Sequence, residues 1–100
     1  MASDLTVYAI LDTKRCGWCK KFEPVVKANV RAMAPRHQKK FQIVDLQTDE
    51  GRQLASELKH SGGIPNVIAT AGGQTVYQEA GFKDGPKFAN VLFQLFSMYG

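Results

Sequence analysis

The chain of 100 residues has no apolar run approaching the roughly 20 residues of a membrane-spanning helix. It also lacks internal repeats, a linker and low-complexity segments. Its first residues, Met1 to Asp4, carry neither the basic nor the apolar region of a secretory signal peptide. These absences predict a single domain over residues 1–100, placed in the cytoplasm and binding no membrane.

Cysteine and histidine are scarce, which narrows the metal sites that the chain can build. There are two cysteines, Cys16 and Cys19, and two histidines, His37 and His60. A structural zinc ion needs four ligands, and these histidines do not have zinc-finger spacing. The sequence therefore predicts no metal site within one chain. An iron–sulfur cluster shared by two copies of the chain stays open as an alternative.

Acidic residues are outnumbered: 13 Lys and Arg stand against 9 Asp and Glu, which gives a net charge of +4. Several basic residues cluster around one connection: Arg31, Arg36, His37, Lys39 and Lys40. Because no aromatic residue lies among them, we interpret this cluster as a solvated basic loop and expect no nucleic-acid partner. The positive charge would favour acidic partners or glutathione.

The hydrophobic pattern predicts the element order βαβαββα. Strands are expected over residues 5–11, 41–46, 66–70 and 75–79, and helices over residues 19–33, 49–60 and 85–99. Two strands joined through a helix should lie parallel, and the turn at 71–74 predicts an antiparallel hairpin. The expected fold is α/β, with a mixed four-stranded sheet and helices on both faces.

The segment Cys16-Gly17-Trp18-Cys19 lies where the first predicted strand gives way to the first predicted helix. Two thiols at this spacing can close into a disulfide and reopen at little conformational cost. At a helix start, unpaired N–H groups favour the thiolate of the first cysteine. Since cytosolic disulfides are usually transient, the pair indicates catalysis or metal binding rather than a structural cross-link.

Together with the motif, two further features resemble the thioredoxin/glutaredoxin superfamily over essentially the whole chain. Pro24 lies five residues beyond the second cysteine, as in many thioredoxin-like proteins, and Ile64-Pro65 is similar to the family's cis-proline opposite the active site. Gly81 falls where these folds commonly place glycine. The resemblance implies a minimal thioredoxin-like fold and thiol–disulfide oxidoreductase activity.

The residues beside the cysteines match neither branch of the superfamily. Arg15 stands where thioredoxin has tryptophan, Gly17-Trp18 replaces Gly-Pro, and Ile10 lies near the place of thioredoxin's buried aspartate. The glutaredoxin motif Cys-Pro-Tyr-Cys is not matched either, although the short lead before Cys16 resembles glutaredoxins. The subtype therefore stays open.

The resemblance implies that Cys16 is the nucleophile and that Cys19, one turn deeper, resolves the mixed disulfide. Lys14, Arg15 and Lys20 add positive potential that would lower the pKa of the Cys16 thiol.

The remaining candidates would bind substrate. Gly17 is expected to allow a tight turn with no side chain over Cys16, and Trp18 to form an exposed apolar lid. A cis Pro65 would turn the backbone of Ile64 toward the sulfurs for strand-like pairing with a substrate peptide. Asp12 is the nearest acid to the motif in sequence. We favour a solvated carboxylate there over a role in proton transfer to Cys19.

The sequence thus predicts a monomeric oxidoreductase that reduces protein disulfides and holds no permanent cofactor. Its electron donor would be a reductase such as thioredoxin reductase. One alternative is glutathione-dependent glutaredoxin activity, with glutathione as co-substrate. A second is a redox-inert or redox-gated module that binds extended peptides in a groove between Trp18 and Pro65.

Overall fold

A computed structural model describes residues 4–61 and 63–99, and within them it contains four strands and four helices. The strands are β1 Leu5–Leu11, β2 Phe41–Asp45, β3 Asn66–Ala71 and β4 Gln74–Ala80. The helices are α1 Gly17–Ala32, α2 Pro35–Gln38, α3 Asp49–Glu57 and α4 Gly85–Tyr99. The prediction about a secretory signal peptide concerned Met1 to Asp4, and the first three of these residues lie outside the described part.

The strands form one mixed sheet in the order β2-β1-β3-β4. Strand β1 pairs with β2 in parallel and with β3 in antiparallel register, and β3 and β4 form an antiparallel hairpin. The central position of β1 explains its nearly continuous apolar sequence, because both of its faces are covered. The predicted α/β fold with a mixed four-stranded sheet is confirmed.

Side-chain alternation along the strands divides the interior into two cores. The larger one, the α1/α4 core, lies between the sheet and helices α1 and α4. Its buried members are Leu5, Val7, Ala9, Leu11, Cys19, Phe22, Val26, Val67, Ala69, Phe88, Leu92 and Leu95. The smaller one, the α3 core, lies under α3 and consists of Ile10, Val44, Ala55 and Ile68. Helices therefore cover both faces of the sheet, as predicted.

Two connections differ from the predictions. The basic stretch after α1 was expected to be a loop, but residues 35–38 form the one-turn helix α2, with Pro35 at a first-turn position that suits its fixed φ. Helix α3 ends at Glu57 and does not reach His60, because Lys59 adopts a left-handed φ of 56°. The N–H of Lys59 donates to Ser56 and that of His60 to Ala55, the pattern of a Schellman motif.

The last helix begins as its sequence predicts. The Asp84 carboxylate accepts a hydrogen bond of 2.9 Å from the N–H of Lys87 and so caps α4. Across the described ranges, 4–61 and 63–99, the structure contains no helix with the length and apolar character that a membrane crossing requires.

Candidate active site

Cys16 lies at the N-terminus of α1 and caps it with its own sulfur. The Cys16 Sγ accepts a hydrogen bond of 3.0 Å from the backbone N–H of Cys19. The same sulfur is half-buried and is joined to Cys19 in a disulfide. Once the disulfide opens, the N–H groups of this helix end face the Cys16 sulfur, which favours its charged form.

Cys19 has a different environment, although only two residues separate it from Cys16. It is fully buried in the α1/α4 core, on the same helix face as Phe22 and Val26. A residue three positions before Phe22 and seven before Val26 falls on one stripe of an α-helix. Cys16 is therefore the more exposed of the two cysteines, and Cys19 lies deeper, as the resemblance implied.

The loop that delivers Cys16 to the helix is braced by Asp12. Its carboxylate accepts hydrogen bonds from the backbone N–H groups of Lys14 and Arg15, at 3.1 and 3.0 Å, and from the side chain of Gln47 at 2.7 Å. The bond from Arg15, followed by those from Gln47 and Lys14, holds the pKa of Asp12 below its usual value. Asp12 thus orders the loop before the motif, which sequence reasoning did not anticipate.

Opposite the cysteines lies the loop before β3. The Ile64–Pro65 peptide bond is cis, as the resemblance implied, and the Ile64 carbonyl oxygen lies 3.8 Å from Cys16 Sγ. Ile64 packs against both cores, which fixes the loop from two sides. The backbone of residue 64 therefore faces the half-buried sulfur.

A third loop, between β4 and α4, completes the site. Gly81 has a φ of +111°, a conformation that side chains other than glycine rarely adopt, and its N–H donates to the Pro65 carbonyl at 2.8 Å. This hydrogen bond ties the loop to the cis-proline. The first turn of α1 and the loops before β3 and after β4 border an open groove of ≈ 310 Å³ lined by Trp18, Ile64, Pro65, Gly81 and Phe82.

Trp18 forms one wall of this groove and is 57% exposed. Its ring contacts the Phe82 ring at a centroid distance of 5.5 Å, and the ammonium of Lys21 lies 4.7 Å from the Trp18 ring centroid. The prediction of a tight turn at Gly17 is wrong. Gly17 is the first residue of α1, its φ lies outside the left-handed range, and apart from its chain neighbours and the nearby helix backbone an added Cβ would meet no atom within 4 Å.

The basic side chains around the motif are all exposed. Lys14, Arg15 and Lys20 flank Cys16, and in residues 4–61 and 63–99 no carboxylate oxygen lies within 4.0 Å of their charged groups. Their charge is therefore not cancelled by a close ion pair. At exposed positions such charges act through solvent, which weakens their effect on the thiol.

Two residues that sequence reasoning missed also belong to this end of the molecule. Phe82 lines the groove directly, and Lys83 behind it is a buried cation, only 7% exposed. The ammonium of Lys83 lies 2.7 Å from a carboxylate oxygen of Glu79. The position of Phe82 next to Gly81 was a usable signal, whereas nothing in the sequence marks Lys83 as buried.

Within the described part of the chain, no three His, Cys, Asp or Glu side chains lie close enough together to hold a metal ion. His37 takes part in packing, since its ring stacks on that of Phe96 at a centroid distance of 4.5 Å.

Comparison with known proteins identifies the class of fold. No family model matches the chain, and no curated protein matches it. Solved structures do match, and the arrangement of sheet and helices is that of the thioredoxin-like fold.

Three of these structures show the extent of the likeness. A mutant thioredoxin from Halobacterium salinarum NRC-1 is 24% identical, over 91% of this chain and 74% of that one, with a TM-score of 0.68. Thioredoxin from Malassezia sympodialis is 23% identical, over 93% and 76%, with a TM-score of 0.68. Oxidised mitochondrial thioredoxin 3 from Saccharomyces cerevisiae is 20% identical, over 92% and 79%, with a TM-score of 0.68. At these identities the likeness shows the fold.

Proposed function

We propose that this protein is a thiol–disulfide oxidoreductase that reduces protein disulfides through Cys16 and Cys19. The thioredoxin-like fold supports this activity, as does the disulfide between two cysteines that are separated by two residues. The observation that carries the proposal is the unequal burial of the two sulfurs. Cys16 is half-buried at a helix N-terminus beside the groove, whereas Cys19 is fully buried behind it.

The reaction proceeds in two exchanges and begins with the dithiol. The Cys16 thiolate attacks one sulfur of the substrate disulfide, a mixed disulfide forms, and the other substrate sulfur leaves as a thiolate that takes up a proton. Cys19 then loses its proton and attacks the Cys16 sulfur. The Cys16–Cys19 disulfide closes and the second substrate thiol leaves, so that two electrons have passed to the substrate.

The groove gives the substrate its position during these steps. An extended peptide that lies along Ile64 and Pro65 can pair with the backbone of residue 64, next to the Cys16 sulfur. Gly17 places no side chain between that sulfur and the solvent. Trp18 and Gly81 border the peptide path, and Lys14, Arg15 and Lys20 favour the thiolate of Cys16.

A dithiol must be regenerated after each cycle, and two donors are chemically suited to this. We propose thioredoxin reductase as the donor, with glutathione as the alternative, in a cytoplasmic setting that keeps thiols reduced. The protein would act as a monomer without a permanently bound cofactor.

Turnover of insulin disulfides tests the activity. We expect wild type to accelerate insulin reduction and Cys16→Ser to abolish the acceleration, while Phe93→Ser, at an exposed position on α4, behaves as wild type. If Cys16→Ser matches wild type with insulin and with a glutathione mixed disulfide, the enzyme proposal fails and a peptide-binding role remains. Activity that requires glutathione and its reductase would favour the glutaredoxin alternative.

A further inference from the structure

Two aromatic side chains from distant parts of the chain meet beside the cysteines. Trp18 comes from the first turn of α1 and Phe82 from the loop after β4, and their rings lie 5.5 Å apart at an angle of 41°. Both remain accessible, with 57% and 39% of their surfaces exposed. They form a continuous aromatic wall of the groove that holds Ile64 and Pro65.

Phe82 is supported from below by the core. Its ring meets the edge of Phe22 at a centroid distance of 6.0 Å, and Phe22 in turn contacts Phe88 at 5.1 Å. Both partners are fully buried. The exposed part of Phe82 is therefore a fixed surface, so that a ligand that packs on it loses little side-chain freedom in the protein.

The residue after Phe82 anchors the loop on its other side. Lysine side chains are almost never fully buried in proteins unless they are paired. Lys83 is buried, and its ammonium lies 2.7 Å from a carboxylate oxygen of Glu79. The same carboxylate accepts a hydrogen bond of 2.9 Å from the Tyr77 hydroxyl. The bonds from Lys83 and Tyr77 lower the pKa of Glu79, and burial, followed by the contact with Glu79, raises the pKa of Tyr77.

Phe82 is thus held between two attachments, the Gly81–Pro65 hydrogen bond before it and the buried Lys83 after it. We propose that Phe82 is a specificity-determining residue that, together with Trp18, selects disulfides flanked by an aromatic or large apolar side chain. Lys83 is its positioning residue. This inference rests on the proposed function, because it names the substrate class of the same site.

The preference follows from the chemistry of the groove. A peptide aligned along Ile64 and Pro65 passes the wall of Trp18 and Phe82, so that a side chain flanking its half-cystine can pack against that wall. An aromatic ring there gains apolar burial and ring–ring contact, which a serine side chain cannot supply. Discrimination by an apolar pocket of this kind is about tenfold or more.

The test measures single-turnover oxidation of the reduced protein by disulfides, which requires no electron donor. The chain has one tryptophan, Trp18, and because it lies between the two cysteines we expect its fluorescence to change when their disulfide closes. Two disulfide-linked peptides are compared that differ only in Phe or Ser beside the half-cystine, and bis(2-hydroxyethyl) disulfide serves as a third oxidant. We expect the second-order rate constant of wild type to be about tenfold higher for the Phe peptide.

Variants then show which residues cause the preference for the Phe peptide. Phe82→Ser should reduce the Phe-to-Ser ratio below about twofold, whereas Phe93→Ser, which removes an aromatic ring that is 71% exposed outside the groove, should keep it. Lys83→Met should lower the ratio and shift the emission of Trp18. Lys83→Arg, which keeps the charge, should restore both.

Each outcome bears on one claim. A wild-type ratio near one overturns the inference without any variant, and so does a Phe82→Ser protein that keeps the full ratio. An unchanged Phe-to-Ser ratio in Lys83→Met would show that Lys83 does not position Phe82. If wild type is oxidised by none of the three disulfides, the proposed function fails instead.

Discussion

The two faces of the sheet are built differently. On one face, the α1/α4 core contains Phe22 and Phe88 together with long aliphatic side chains, and it buries the sulfur of Cys19. On the other face, the α3 core has four buried members, of which α3 contributes Ala55, while Leu54 of the same helix packs against this core and is partly buried. Helix α3 reaches the sheet because Gly51 leaves no side chain between it and the Asp45 carbonyl at the end of β2.

Because of this difference, the α1/α4 core supports the candidate active site, whereas the α3 core mainly contributes to the stability of the fold. The aromatic series Trp18, Phe82, Phe22 and Phe88 runs from the groove into the α1/α4 core. A change in that core should therefore reach both stability and the site. In residues 4–61 and 63–99, Ile64 is the groove-lining residue that packs against the α3 core, and a change in that core should affect stability more than reactivity.

The largest expected effect comes from Phe22→Ala. It removes a fully buried ring that supports Phe82 and contacts Phe88, so we expect the free energy of unfolding to fall by about 3–5 kcal/mol. Urea unfolding measures the loss, and the emission of Trp18 should shift because Phe82 has lost its support. Ile68→Val in the α3 core is the control, with a loss of about 0.5–1.5 kcal/mol and unchanged emission. Equal emission shifts in both variants would contradict the expectation that the α1/α4 core, and not the α3 core, affects the site.

Next in size is Gly51→Ala on the other face. An added Cβ would overlap the backbone carbonyl of Asp45, and α3 must move outward to accept it. We expect a loss of about 1–3 kcal/mol by thermal or urea unfolding, with the rate of oxidation by small disulfides retained. A variant that keeps full stability would show that the close approach of α3 to β2 is not required.

The helix caps offer a matched pair with smaller effects. Thr48 caps α3 by accepting from the Gly51 N–H at 2.9 Å, and Asp84 caps α4 next to Lys83. Each alanine substitution should cost about 1 kcal/mol of unfolding free energy. Only Asp84→Ala should also lower the rate with peptide disulfides, because its loop carries Phe82. The comparison fails if Thr48→Ala slows the reaction as much.

The smallest effect is a pH dependence at Glu79. Bonds from Lys83 and Tyr77 depress the pKa of Glu79 in the folded protein below its ordinary value of 4.5. The sign follows from linkage: this stabilisation is complete above pH 4.5 and is lost as the pH falls toward the lower folded-state value. The stability difference between wild type and Glu79→Gln should therefore shrink below pH 4.5. A difference that is constant from pH 7 to pH 3 would contradict this.

Much of the fold follows from the sequence because local patterns determine it. The apolar runs indicated the four strands, and the change to helical spacing after the cysteines indicated α1. These predictions succeeded because each depends on residues within one element.

The features that sequence reasoning missed depend on contacts between elements or on unusual backbone. The burial of Lys83 requires Glu79 and Tyr77 from β4, and a lysine in a loop carries no signal for that pairing. The end of α3 was misplaced because Lys59 takes a left-handed conformation that glycine usually provides. The contact between Trp18 and Phe82 joins residues 64 positions apart, which no local pattern reveals.

Trapping of the mixed disulfide tests most directly that Cys16 attacks and Cys19 resolves. Reduced Cys19→Ser and Cys16→Ser proteins are mixed with a disulfide-linked peptide, and the adducts are followed by mass spectrometry over time. We predict that Cys19→Ser rapidly accumulates one peptide on Cys16, because the nucleophile remains and nothing resolves the adduct. Cys16→Ser should form its adduct far more slowly, because the sulfur of Cys19 is fully buried. Equal rates of adduct formation in the two variants would contradict the assignment.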